Sequence, residues 1–327
     1  MRVSIVIPVY NAEASLPLLA ARIEEVLTPR YEALELLLVN DGSRDRSWDV
    51  ITPLCASSNW IRGINLMRNY GQHNALLCGI RAASYEVIVT MDDDLQNPPE
   101  EVPRLTARLD EECDVVYGTP ERETHGFHRD LASRITKLAL RAAMGVETAR
   151  HVSAFRAFRT YLRDGFAEYR SPYVSIDVLL TWATTRFAVV PVRNDPRAIG
   201  TSNYTFRKLV VHALNMMTGF STLPLQLASL VGFASTAFGM AVLVYVIGRY
   251  LIQGSSVPGF PFLASVIAIF SGAQLFAIGI IGEYLARMHF RMMERPSYAV
   301  QSTAGAGANG SEQDIASQVS ASPGYLR

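Results

Sequence analysis

Two long stretches of this chain carry no charge. From Leu223 to Gly248, 26 consecutive residues include no Asp, Glu, Lys or Arg, and Phe262 to Gly282 adds 21 more. At 1.5 Å per residue, the shorter stretch built as a helix reaches roughly 32 Å, enough for a bilayer core of ~30 Å. A buried soluble hairpin is the alternative, but two uncharged runs of this length favour membrane spans. Between them, Gln253–Pro261 holds two prolines, two glycines and two serines, a turn composition. The spacing predicts transmembrane helix 1 over 223–252, an external loop over 253–261 and transmembrane helix 2 over 262–286. Neither span carries an ionisable residue in its interior, which argues against a transporter.

Composition agrees. Only 18% of the 327 residues are charged, against ~25% in soluble domains, and the deficit sits in these stretches. Arg207 and Lys208 precede the first span and Arg287, Arg291 and Arg295 follow the second, while only Arg249 lies near the loop. The positive-inside rule then puts both outer ends in the cytoplasm, at the inner (plasma) membrane. Thr205–Phe220 is amphipathic, with Phe206, Leu209, Val210, Ala213, Leu214, Met217 and Phe220 in helical register. We expect an interfacial helix over 205–222. Residues 287–327 form a cytoplasmic tail, read as disordered from Ser302 onward. Thirty basic residues balance thirty acidic ones, which argues against nucleic acid as a partner. The three scattered cysteines, Cys55, Cys78 and Cys113, form no disulfide framework or metal spacing.

The first 204 residues are the soluble part. Apolar runs at Val3–Ile7, Leu34–Val39, Ile61–Leu66 and Val87–Met91 alternate with helical candidates near 13–27, 45–57, 72–83 and 99–112. Phe187–Val192 is a further strand. The pattern predicts an α/β, mostly parallel, Rossmann-like sheet, which places ligands at the carboxyl ends of its strands. Three polar segments fall at those ends. Asp92-Asp93-Asp94 follows the fourth strand, and adjacent carboxylates there are tolerable where a cation neutralises them. Hard divalent ions take oxygen ligands, often one or two carboxylates plus substrate phosphates. Asp92 and Asp94, two apart, can turn toward one ion while Asp93 points elsewhere. Asn40-Asp41-Gly42-Ser43 ends the second strand, and Pro8-Val9-Tyr10-Asn11 the first.

With Asp92-x-Asp94-x-Gln96, these segments resemble the family 2 glycosyltransferases of GT-A fold. Arg68-Asn69-Tyr70-Gly71-Gln72-His73 and Asp94–Glu100 are similar to the polyprenyl-phosphate members. Those include dolichol-phosphate mannose synthase, bactoprenol glucosyltransferase and undecaprenyl-phosphate formamido-arabinose transferase. Ile281–Arg287 and Arg295-Pro296-Ser297-Tyr298 resemble the two-helix bacterial members, so the resemblance covers about residues 3–300. It implies a glycosyltransferase acting on a nucleotide sugar donor and a polyprenyl phosphate acceptor at the lipid bilayer, with inversion. Residue by residue, it implies that Pro8, Tyr10, Glu13, Asp41, Asp92 and Asp93 bind the nucleotide sugar. Asp92, Asp94 and Gln96 would hold Mg²⁺ or Mn²⁺.

Ser153-Ala154-Phe155-Arg156 resembles the Ser-Gly-Phe-Arg segment of the mannose synthases; other members carry an acid there. A phosphate monoester, with a second pKa near ~6, is already a nucleophile and needs clamping more than a base. Arginines suit that role. Arg122, Arg129, Arg134 and Arg156 lie where the family binds the acceptor phosphate. Arg122, Arg134 and Arg156 are the chosen ones, with Ser153, Arg197 and Ser202 beside them. Asp93 is the candidate to contact the sugar or serve as a base. A processive polysaccharide synthase would carry Gln-x-x-Arg-Trp and more spans, and neither is found. A non-catalytic scaffold would show a broken metal motif, which is intact here. Homo-oligomerisation is compatible with all of this.

Overall fold

The computed structural model describes residues 1–120, 152–171, 173–195, 223–253, 259–293 and 295–305. The interfacial helix, Arg122, Arg129, Arg134, Arg197, Ser202, residues 254–258 and the tail beyond 305 lie outside them. The strands are β1 (Arg2–Val9), β2 (Ala33–Asn40), β3 (Ile61–Leu66), β4 (Val87–Thr90), β5 (Val115–Pro120), β6 (Arg156–Arg159), β7 (Phe187–Val192) and β8 (Val300–Ala304). The α-helices are α1 (Leu16–Leu27), α2 (Ser47–Ser57), α3 (Gln72–Ala82), α4 (Val102–Ala107), α5 (Ile176–Ala183), α6 (Leu223–Gln253) and α7 (Phe260–Met292).

One mixed sheet runs β7-β5-β6-β4-β1-β2-β3-β8. β3, β2, β1 and β4 are parallel, and β6 enters antiparallel between β4 and β5. The chain moves outward from β1 to β3 and then returns to the other side of β1 as β4. The switch point, where such sheets bind ligands, therefore lies between β1 and β4. The central strands are buried on both faces because helices cover both. Val3, Ile5, Ile7 and Val9 pack with α1, α2 and α4, while Val6, Leu37 and Val39 pack with α3 and α5.

The expected elements form, with shorter helices in two places. α1 starts at Leu16, not near 13, because residues 11–13 are bonded to the 43–47 loop. α4 stops at Ala107; Asp110-Glu111-Glu112 beyond it would oppose the negative end of the helix dipole. Ser302–Ala304, expected to lack structure, instead belongs to β8, which pairs antiparallel with β3 and covers that edge of the sheet.

α6 and α7 pack against each other and hold two windows long and apolar enough to cross a membrane, Pro224–Arg249 and Ile269–His289. Their mean hydropathies are 2.1 and 1.5, and neither window is buried. Phe233 and Leu251 are 75% and 76% exposed, a surface that suits lipid and not water. The hairpin returns to the domain at its base. The Arg287 guanidinium lies 4.8 Å over the Tyr173 ring, and the buried Ser297 hydroxyl donates to the Ser171 carbonyl at 2.9 Å. Tyr298 then packs beside Cys78 and Arg81, and β8 joins the sheet.

Candidate active site

Three loops meet at the carboxyl ends of β1, β2 and β4. The first turns at Asn11, a non-glycine residue with φ of 56°. Its side-chain carbonyl accepts the Arg44 N–H at 2.8 Å and its own N–H donates to Ser43 Oγ at 3.0 Å. Glu13 accepts the Arg46 N–H at 2.9 Å. Glu13 thus joins the first loop to the second, and its side chain remains 41% exposed. Pro8 is buried within β1, and Tyr10 at the strand's end is 37% exposed.

The second loop is built around Asp41. This carboxylate is 3% exposed and accepts the Tyr70 and Gly71 N–H groups at 2.7 and 2.9 Å. Burial pushes it up to about 6, although both N–H donors pull it down. Asp41 therefore moulds the 68–71 segment as the wall of the site. Arg68 folds back 4.4 Å over the Tyr70 ring.

The third loop is the acidic turn. Asp92, Asp93 and Asp94 are half-buried. Asp92 Oδ1 accepts the Gln72 side-chain amide at 2.6 Å. Asp93 Oδ2 accepts the Tyr10 N–H at 3.3 Å, tying the tip of β4 to that of β1. Asp94 Oδ1 accepts the Gln96 N–H at 3.1 Å, and the turn closes through Leu95 with φ of 60°. Gln96 is itself held, its carbonyl accepting the Asp195 N–H at 2.9 Å. Burial pushes the Asp93 carboxyl up to about 6, with the negative fields of Asp92 and Asp94 adding to the shift. Among the described residues no three acidic, His or Cys side chains form a closed metal cage. Asp92, Asp94 and Gln96 offer hard oxygen donors on one turn, the donor type that an open Mg²⁺ or Mn²⁺ site would use, with substrate phosphates and water completing the shell.

Arg156 is not placed as an acceptor ligand. Its side chain is 2% exposed and ion-paired to Asp177, and its Nε donates to Thr90 Oγ1 at 3.1 Å. An arginine at that depth has no face to offer a lipid phosphate. Ser153 is half-buried, its Oγ accepting the Phe155 N–H at 3.2 Å. Sequence reasoning passed over Gln72, Thr90 and Asp177. Gln72 lay inside a quoted motif, but its bond to Asp92 needs the fold.

Carboxylates thus cluster at the switch point of a helix-covered, mostly parallel sheet, the edge where such a fold binds ligands. The chain belongs to glycosyl transferase family 2, whose model matches residues 4–170. A relative from Shewanella sediminis, undecaprenyl-phosphate 4-deoxy-4-formamido-L-arabinose transferase, is 35% identical over 302 residues, 91% of each chain. The Yersinia pestis protein of the same description is 34% identical over 317 residues, 96% of this chain and 97% of its own. Among solved structures, S. aureus TarS 1-349 matches with a TM-score of 0.42 and 20% identity, covering 58% of each chain. Mycobacterium tuberculosis glucosyl-3-phosphoglycerate synthase, in complex with Mn²⁺, UDP and glucosyl-3-phosphoglycerate, matches with a TM-score of 0.44 and 19% identity. That match covers 66% of this chain and 77% of the other.

Proposed function

We propose that this protein transfers a sugar from a nucleotide sugar to a polyprenyl phosphate of undecaprenyl type at the cytoplasmic membrane face. The product is a polyprenyl-phosphate-sugar formed with inversion. One observation carries the reading: the domain that holds the acidic turn is bonded to the base of an apolar helical hairpin. A reaction with a lipid headgroup needs its site at the bilayer surface, and this joint would supply it. The relatives support the same reading, because their likeness extends over more than nine-tenths of both chains, hairpin included.

The 68–71 wall shaped by Asp41 and the tip of β1 at Tyr10 would receive the nucleoside. Asp92, Asp94 and Gln96 would hold a Mg²⁺ or Mn²⁺ ion, which when bound stabilises the leaving nucleoside diphosphate. The acceptor phosphate is mostly dianionic at neutral pH and attacks without a base. Asp93, held against Tyr10, would border the sugar. Arg122, Arg134, Arg197, Ser153 and Ser202 remain the proposed phosphate ligands, and their work is clamping and in-line placement.

The test is transfer in detergent, with undecaprenyl phosphate, Mn²⁺ or Mg²⁺ and a panel of radiolabelled nucleotide sugars. The formamido-arabinose donor named by the relatives' sugar heads the panel. Label should enter the lipid phase with one donor and fall by about a hundredfold or more in Asp94→Asn. No lipid product from any donor, with donor binding intact, defeats the reading.

A further inference from the structure

Residues 169–171 and 173–177 lie between two fixed points. Their outer part meets the hairpin: Arg287 of α7 stacks on Tyr173, and Ser297, just past α7, bonds the Ser171 carbonyl. The Tyr169 hydroxyl donates to the Tyr173 carbonyl, closing the loop on itself. Its inner end is the start of α5, where two links run toward the acidic turn. In one, the Ile176 N–H donates to His73 Nδ1 at 3.3 Å, and His73 adjoins Gln72, the donor to Asp92. In the other, Asp177 pairs with Arg156, whose Nε donates to Thr90, two residues before Asp92. Thr90 Oγ1 also donates to the Ala154 carbonyl at 2.7 Å, and the Tyr117 hydroxyl donates to Asp177 at 3.1 Å.

Both charged side chains of the pair are nearly inaccessible, at 2% and 7%. Burying such a pair costs several kcal/mol of desolvation, and apolar residues of equal volume serve stability as well or better. Directional bonds to Thr90 and Asp177 give something that apolar packing does not: a fixed orientation at the tip of β4. We propose that residues 169–171 and 173–177 belong to a strut that holds the acidic turn in a set position relative to the membrane hairpin, with Asp177 as its positioning residue. The inference rests on the functional reading above for the turn's role.

The experiment uses the full chain in lipid nanodiscs. Thr90→Val keeps the shape and removes the hydroxyl; Thr90→Ser keeps the hydroxyl. Two readouts are compared: binding of Mn²⁺ alone by electron paramagnetic resonance, and the kcat against KM split of transfer. Thr90→Val should weaken Mn²⁺ binding and lower kcat, each about tenfold, and should also lower the melting temperature by several degrees because it strands the buried Arg156 Nε–H. Thr90→Ser should recover all three. At the outer end, Tyr173→Ala should lower kcat several-fold, and Tyr173→Phe, which keeps the ring under Arg287, should recover it. Asp177→Asn strands the Arg156 charge and risks misfolding, so the Thr90 pair decides. Thr90→Val equal to Thr90→Ser in Mn²⁺ affinity and kcat overturns the strut. So does a Tyr173→Ala protein that melts earlier yet keeps kcat. If wild type fails to glycosylate polyprenyl phosphate, the acceptor reading falls, while the Mn²⁺ titration still judges the strut.

Discussion

At Gly42 a single absent methyl group shapes the donor side of the site. Its φ of +61° is left-handed, and an ideal Cβ there would lie 2.5 Å from the backbone of Arg68 and Asn69. Gly42→Ala meets both penalties, and we expect a loss of at least about 2 kcal/mol in urea melts. Nucleotide-sugar affinity should fall further than stability does, because the displaced 68–71 wall is the one Asp41 grips. Asp41 itself has a pH signature. Its folded value of about 6 lies above the ordinary 3.8, so the fold binds its proton more tightly than the unfolded chain does. Asp41 therefore costs stability as pH rises from about 4 to about 6, and its cost is constant above that. Asp41→Asn cannot ionise. Across that window the difference between variant and wild type should move in the variant's favour, by up to about 3 kcal/mol at 1.36 kcal/mol per unit. Melts at pH 4, 5, 6 and 7 read this, and a flat difference contradicts it. At this scale Asp41 and the acidic turn were legible, because a carboxylate after an apolar strand marks a ligand edge whatever the rest of the chain does. The burial of Arg156 is not legible in the sequence, because its partner, Asp177, stands 21 residues away on another element. Nothing in spacing separates a buried arginine from a phosphate-binding one.

Among the elements, β8 was the least legible. Val300-Gln301-Ser302-Thr303-Ala304 is short and polar, and its pairing partner β3 lies more than 230 residues earlier. Composition predicts no structure from Ser302 onward, which takes in the second part of this strand. The strand exists because the returning hairpin brings it to an open edge whose backbone groups need partners. Arg156–Arg159, a four-residue strand with charge at both ends, escaped notice for the same reason. The parallel strands β1 to β4 were plain, since burial on both faces demands continuous apolar runs. A chain stopped after Ala299 keeps Ser297 and Tyr298 but loses β8. We expect the amides of β3 that pair with it, between Gly63 and Leu66, to exchange with solvent at least tenfold faster. The melting temperature should fall by several degrees, and the bare edge should promote association at high concentration. Unchanged exchange in β3 would mean that the edge is not covered by β8 in solution.

For the whole molecule, β8 constrains the path through the membrane. The chain leaves the domain, runs up α6 and down α7, and then pairs with β3 of the same sheet. Because β8 returns to the domain's own sheet, a hairpin that crosses a bilayer must enter and leave on the domain's side, which would put Gly259 on the other. Which side is which follows from charge: Arg207, Lys208, Arg287, Arg291 and Arg295 flank the domain end, so that end is expected in the cytoplasm. The native cysteines make this testable without being removed. Cys55, Cys78 and Cys113 are buried, and burial pushes the first two thiols up to about 11 and about 12, so little thiolate is present at neutral pH. Background labelling by maleimide should be low. Gly259→Cys should react with a membrane-impermeant maleimide in intact cells, once any outer barrier is opened. Met67→Cys, on the domain at a side chain 62% exposed, should react only after lysis. The reverse pattern would place the acidic turn outside the cytoplasm, away from any pool of nucleotide sugars, and would defeat the proposed reaction. Labelling of both sites in intact cells would mean that the hairpin does not cross the membrane.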